Sequence, residues 1–239
     1  MIRLSKFLSQ CGVTSRRGAT GLVAEGRVTI NDITVEQIGT IIDETVDTVK
    51  VDGSVVAPVE NKVYVVLNKP RQVMTTLHDP FKRRTILHYL KNLRHRVYPM
   101  GRLDFDTAGV LLLCNDGDLA FRLTHPRYHV EKIYEAVVTG CFQPEDCSRI
   151  EKGIKLEDGA TGRALVRILE HRGNTSRLRL TLTEGRKREV KQLCRLVGHP
   201  VRELTRIEFA GIRTGSLGPG TWRHLTEDEV NQLQAMVGL

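Results

Sequence analysis

The stretch GRLDFDTAGVLLLCNDG, residues 101–117, sets Arg102, Asp104 and Asp106 directly ahead of the chain's most apolar run. Val110 to Leu113 read as a buried strand, and Asn115, Asp116 and Gly117 as the turn that caps the next helix. A loop held by such a strand is a rigid mount for a side chain. In a basic chain that attracts phosphate, a carboxylate at that mount would repel the partner unless chemistry required it. Asp106 and Thr107 are expected to brace the loop through local side-chain to backbone hydrogen bonds.

The 239 residues carry 36 Lys and Arg against 28 Asp and Glu, with a pI near 9.4. That length suits one sizeable domain with a smaller companion, and the charge favours a polyanion such as nucleic acid. Five cysteines, an odd number without CxxC spacing, argue against a disulfide framework or a zinc ribbon and fit a reducing cytoplasm. The eight histidines show no metal spacing, so no metal is expected. No apolar stretch approaches membrane-spanning length, and the N-terminus lacks the features of a signal peptide, so no membrane partner is expected.

The charge is segregated. Residues 1–30 hold Arg3, Lys6, Arg16, Arg17 and Arg27 with Glu25 as the lone acid, whereas residues 31–60 hold seven acids and only Lys50. Leu4, Phe7 and Leu8 mark a first short helix that Gly12 breaks. Ser15 is placed to cap a second, buried through Ala19, Leu22 and Val23 and ended by Gly26. Two short strands around Asn31-Asp32 and another at 48–51 follow. The boundary falls at about 57–61, dividing a small unit, 1–59, from a larger one, 61–239.

The larger part alternates strands and helices without regular βαβ spacing. This predicts an α+β fold whose central sheet is largely antiparallel or mixed, flanked by helices. Strands are expected at 62–67, 109–114, 132–139, 162–169, 175–183 and 202–209, and helices at about 117–124, 144–152, 187–197 and 227–236. A Thr226/Glu229 capping box opens the last helix. Cys114 and Cys194 read as core, and His125 and His199 as structural residues at helix ends.

An aspartate followed by FDT also fits the DxDxT signature of aspartate-nucleophile phosphatases. That reading needs a buried strand before the acid, where Pro99, Gly101 and Arg102 stand instead, and a later acidic pair for magnesium. The full GRLDFDTAGVLLLCNDGDLAFRLTHP resembles the central motif of the RsuA/RluB-type pseudouridine synthases, bacterial enzymes that isomerise a chosen uridine in ribosomal RNA. LNKPRQVMTT (67–76), EKIYEAVVTG (131–140), EGRKREVKQLCRLVGHPVRELTRIEFAGI (184–212) and LGPGTWRHLT (217–226) match further motifs in order. Residues 2–53 resemble the alpha-L RNA-binding domain, named for ribosomal small-subunit protein S-four. They depart from it at Asp32, where Gly is usual, and at Gly18 and Gly21, each of which weakens the second helix by about 1 kcal/mol relative to Ala.

The resemblance implies a cofactor-independent isomerase acting on ribosomal RNA, as a stem-loop or an assembling subunit, and working as a cytoplasmic monomer. The large-subunit (23S) RNA is preferred to the small-subunit (16S) RNA. Asp104 matches the family's catalytic aspartate, which either adds covalently to sugar or ring or removes a ribose proton. Lys191 occupies the basic position of the family's Q-[VIL]-[RK] segment, with Arg186 as the alternative cation expected to hold the carboxylate's pKa low. Glu189 stands where that segment usually has Gln. Tyr134 matches the active-site tyrosine, the other reading being a core ring. Arg102 is expected to support the loop, to fill the gap left by an extruded base, or to contact phosphate. Lys187 and Arg188 are expected to form a basic helix start that doubles as a phosphate contact, with Arg186 beside them, and Arg3, Lys6, Arg16, Arg17 and Arg27 of the first domain are expected to straddle RNA phosphates. The rival class is a non-catalytic RNA-binding assembly factor that keeps the same fold.

Overall fold

The run that follows Asp106 is a strand, Ala108–Cys114, whose residues Val110 to Cys114 are all 0% exposed. Both of its faces are covered, so it carries no polar alternation. Val110 and Leu112 pack with Tyr64 and Val66 against Leu119, Leu123 and Leu233. Leu111 and Leu113 pack with Val65 and Leu67 against Val73, Ile86, Leu90 and Leu103. Each such side chain contributes roughly 1.5–3 kcal/mol on burial, which fixes the strand and the loop before it.

The computed structural model describes residues 1–239 and divides into two units, Met1–Lys62 and Val63–Leu239. In the first, helices α1 (Leu4–Gln10) and α2 (Ala19–Ala24) share a core with Val28, Val35, Ile42 and Val49. Strands Val28–Ile30 and Ile33–Thr34 turn through Asn31 and Asp32, both with positive φ. The second helix spans its apolar pattern, Ala19 to Val23, but Ser15 is not its cap. Gly18 is its N-cap, and Ser15 lies one turn earlier, accepting the Gly18 N–H at 2.9 Å.

The second unit is built on a mixed sheet with helices. Its strand order is Leu165–Arg172, Thr175–Leu182, Lys132–Thr139, Val201–Phe209, Ala108–Cys114, Tyr64–Lys69, Trp222–His224. All neighbours are antiparallel except Val201–Phe209 and Ala108–Cys114, which run parallel through Thr205↔Ala108 and Arg206↔Gly109. This seam joins the two halves of the sheet. Helices α3 (Gly117–Thr124) and α6 (Glu227–Met236) cover one half. Helices α4 (Pro144–Lys152) and α5 (Glu189–Leu196) cover one face of the other, where Ile150, Val190, Leu193 and Cys194 pack on Ala136, Val138, Leu178 and Leu180. No helix is long and apolar enough to cross a membrane.

Three differences from the sequence reading have local causes. The strand expected at 162–169 is two, Thr161–Gly162 and Leu165–Arg172, because the first pairs with Ile154–Lys155 instead of joining the main sheet. The helix expected from 187 starts at Glu189, since Arg188 takes a left-handed backbone, φ 53°. The first strand runs to Lys69, which is buried at 0%.

Candidate active site

Leu103, Asp104, Phe105, Asp106 and Thr107 bridge the tight turn at Gly101, φ 75°, and the buried strand. Three residues from outside this segment tie it down. The Thr75 hydroxyl donates to the Leu103 carbonyl at 2.7 Å and accepts the Leu103 N–H at 3.2 Å. The Val73 N–H donates to the Phe105 carbonyl at 3.2 Å. Lys69 Nζ donates to the carbonyls of Pro70, Asp104 and Thr107 at 3.0, 3.1 and 2.8 Å. The backbone of Asp104 is therefore gripped on both sides while its side chain stays one-third exposed.

That carboxylate faces α5. Lys191 Nζ lies 3.4 Å from Asp104 Oδ2 and 2.5 Å from Asp106 Oδ1. Burial raises the Asp106 pKa, but the hydrogen bond and charge of Lys191 outweigh it, and the net shift is downward. Lys191 is held in place because Val190, Leu193 and Cys194 anchor its helix in the core. Arg186 points elsewhere, to Glu184 at 2.9 Å and Asp158 at 3.6 Å. Of the two candidate cations, Lys191 is the one beside Asp104.

Around the carboxylate a cleft encloses about 410 Å³ of space open to solvent, with Arg102, Tyr134, Leu182, Arg188, Glu189 and Leu204 among its walls. Tyr134 stands opposite Leu180 and Arg206 on the neighbouring strands and is half-buried between two cores. Arg102, Arg186, Lys187 and Arg188 are exposed around this region. Glu189 is buried and accepts the Arg186 N–H at 2.9 Å, and desolvation pushes its pKa up. It braces the start of α5, so the extra acid does not compete for Lys191.

The expectation for Asp106 and Thr107 holds only in part. The Asp106 carboxylate takes its own backbone N–H but is held chiefly by Lys191, and the Thr107 hydroxyl is buried with no hydrogen-bond partner. Lys69, through three carbonyls, does most of the bracing. In the first unit Arg16 and Arg17 are exposed, as is Arg3, and Lys6 is partly covered on α1. Arg27 forks onto Asp52 at 2.8 and 2.7 Å and reaches Glu25 at 3.0 Å, so its charge is largely answered within the protein.

A family model described as RNA pseudouridylate synthase matches residues 63–196, which spans the loop, Tyr134 and Lys191. The chain belongs to this family. An RNA pseudouridine synthase of Aquifex aeolicus, itself named as uncharacterized, is 44% identical over 239 residues, 100% of this chain and 96% of that protein. The ribosomal large subunit pseudouridine synthase B of Bacillus subtilis is 40% identical over 238 residues, 99% of this chain and 97% of its own. A crystal structure of a pseudouridylate synthase matches with TM-score 0.70 and 28% identity, covering 98% of this chain and 100% of that one. The protein is thus an isomerase of the pseudouridine synthase family, and the DxDxT phosphatase reading is set aside.

Two buried cations of this pseudouridine synthase were not legible as site residues. Arg206, 2% exposed, donates from Nε to the Val110 carbonyl at 2.8 Å and lies 4.8 Å over the Phe209 ring. Lys69 sits under the Asp104 loop, and the only sequence signal was a lysine closing an apolar strand. Burial lowers the Lys69 pKa from the ordinary 10.5 to about 8, against the opposing pull of Asp106 and Asp104. Between those values the unfolded chain binds a proton that the folded chain has released, so this residue's contribution to stability rises with pH across that window. The expected result is that the stability difference between wild type and Lys69→Met, read from urea midpoints, shifts toward wild type from pH 8 to about 10.5. A pH-independent difference would show that the amine titrates alike in both states.

Proposed function

We propose that this enzyme isomerises one uridine of large-subunit ribosomal RNA, with Asp104 as the catalytic carboxylate, Lys191 as its counter-charge and Tyr134 as the ring that stacks on the target base. The observation that carries this reading is the Asp104–Lys191 pair, 3.4 Å apart at the wall of a cleft that Tyr134 also lines. The choice of RNA rests on the likeness to the Bacillus subtilis large-subunit enzyme.

The reaction breaks the bond from ribose carbon 1′ to ring nitrogen 1 and forms one to ring carbon 5, whose proton leaves while nitrogen 1 gains one. Atoms and oxidation states balance without hydrolysis, so no cofactor is called for. Asp104 assists detachment either by adding covalently or by taking a ribose proton, and the walls of the cleft hold the freed uracil while it turns. A uridine within a stem must leave the stack first, which costs a few kcal/mol. Arg102, Arg186, Lys187 and Arg188 supply phosphate contacts around the cleft that offset this.

Residues 1–59 act in this account as an alpha-L RNA-binding domain, with Arg3, Lys6, Arg16, Arg17 and Arg27 on its phosphate face, and the enzyme works as a cytoplasmic monomer. Arg16 and Arg17 carry most of that face because both are exposed, whereas Arg27 is tied to Asp52 and Glu25. Replacing both with Ala should lower the salt slope of RNA binding by about 2 and leave single-turnover chemistry at saturating RNA unchanged. An unaltered slope would remove this domain from the interface. The function itself is tested by tritium release from large- and small-subunit transcripts labelled at uridine carbon 5. Release from the large-subunit RNA alone is expected. Release from neither, including assembly intermediates, would return the protein to the class of binding factors.

A further inference from the structure

The half-sheet that carries Tyr134 has two unlike faces. Tyr134, Leu182 and Leu204 turn toward the cleft, and α4 and α5 cover the rest of that side. On the opposite face, where Glu135, Val137, Arg177 and Arg179 stand, no helix packs. Instead it holds an open trough of about 770 Å³, lined by Arg172, Arg177, Arg202, Thr175, Glu170 and Glu203.

The charge of this face is unbalanced. Arg71, Arg167, Arg172, Arg177, Arg179, Arg202 and Arg213 meet Glu135, Glu170, Glu203 and Glu208, the last held by Arg213 at 2.6 Å: seven guanidinium groups against four carboxylates. The carboxylates are already engaged: Glu203 by Arg71 at 3.5 Å, Glu170 by Arg177 at 3.8 Å, and Glu135 by Arg177 at 3.3 Å and Arg179 at 2.8 Å. Arg167, Arg172 and Arg202 are exposed with no carboxylate of their own. Arg167 also stands directly across from Arg179, a like-charge pair that destabilises two neighbouring strands unless an anion answers it. A solvated face with no partner would be expected to alternate its charges. This one leaves an excess of rigid forks, the geometry that suits phosphate oxygens.

We propose that this helix-free face is a second RNA-contact surface, on which Arg172, Arg202 and Arg177 bind phosphates of the substrate RNA beyond the target stem. The proposal rests on the reading of the enzyme as one that acts on a large structured RNA. Charge complementarity selects the occupant: an acidic protein would need a cluster of apolar anchors as well, and the face offers only scattered ones, Val137 in the trough, Ile133 further along its strand and Leu165 at the far end of the edge strand. The surface lies across the sheet from Asp104, since Leu204 lines the cleft while its neighbour Glu203 lines the trough. An RNA that uses both must pass around the sheet and so must extend beyond the target stem. A short stem-loop engages only the cleft.

The test compares wild type with Arg172→Ala plus Arg202→Ala, and with the reversal Arg172→Glu plus Arg202→Glu, after thermal unfolding shows unchanged midpoints. Binding is measured against salt for a long ribosomal fragment and for the shortest stem-loop that wild type converts. With the long fragment, the alanine pair should lower the salt slope by about 2 and weaken binding roughly tenfold, the reversal more. With the stem-loop, affinity and tritium release should stay at wild-type values. Unchanged slopes on the long RNA, or equal losses on both RNAs, would overturn the proposal, as would a dimer that the substitutions dissociate. Failure of wild type to release tritium would instead strike the functional reading, because the slopes are measured independently of turnover.

Discussion

Asp104→Asn is expected to abolish tritium release, lowering the single-turnover rate by roughly four orders of magnitude while RNA affinity changes by less than about threefold. The substitution keeps the volume and one oxygen of the side chain. The loop should not move, because Thr75, Val73 and Lys69 hold it through backbone carbonyls and N–H groups that the change leaves in place. What is lost is one of the two carboxylate charges beside Lys191, the one at the cleft, while Asp106 keeps its own; with it goes the group proposed to attack or to take a proton. Rate and affinity must therefore separate. A variant that released tritium at a tenth of the wild-type rate would transfer the chemistry to another residue, and one that lost binding and rate together would make Asp104 a structural residue.

The second large effect concerns stability. Gly109 follows the Asp104 loop at the seam of the sheet, with φ 102°, and a Cβ built there would stand 2.1 Å from the Arg206 carbonyl oxygen and 2.9 Å from its carbon. Those atoms are backbone of the facing strand, so no side-chain rotation relieves the clash. Gly109→Ala must either part the two strands or twist the loop that carries Asp104. The expected loss is about 4 kcal/mol, a large share of the roughly 5–15 kcal/mol that stabilises a domain, and is read from urea midpoints. Activity per folded molecule should also fall, since the seam and the loop are continuous. A change below about 1 kcal/mol would mean that the strands have slack that their pairing does not suggest.

Much of the fold was legible because its signals are local. Helices α3, α4 and α6 begin and end where expected. Asp116 accepts the N–H groups of Asp118 and Leu119, Pro144 opens α4, and Thr226 with Glu229 forms the capping box of α6. The strand Lys132–Thr139 was equally plain from its composition. Cys114 and Cys194 are core, as their apolar settings implied. The parallel seam was not readable, because only the meeting of Arg206 with Gly109 creates it, and those residues are far apart in the chain. For the same reason Lys69 and Arg206 escaped notice. A charged residue is expected outside until its buried partners are known, and here the partners are backbone carbonyls of the loop and strand.

At the site, the neighbours of Asp104 were named from motif positions, and the geometry adds an order among them. Lys191 faces both acids of the loop, Arg186 turns to Glu184 and Asp158, and Glu189 is consumed in holding the turn before α5. Thr107 keeps a buried hydroxyl without a partner at the wall of the cleft, a detail no motif announced. The pattern supplied the cast of residues, and packing assigned their contacts.

The most direct test of the account is the structure of the Asp104→Asn enzyme, able to bind yet chemically silent, in complex with a stem-loop that wild type converts. The account predicts the target uridine out of its stack, its ring against Tyr134 and its ribose within about 3.5 Å of residue 104, with Lys191 behind. A stem-loop bound elsewhere, with the uridine stacked in its helix and the cleft beside Lys191 free of RNA, would contradict it.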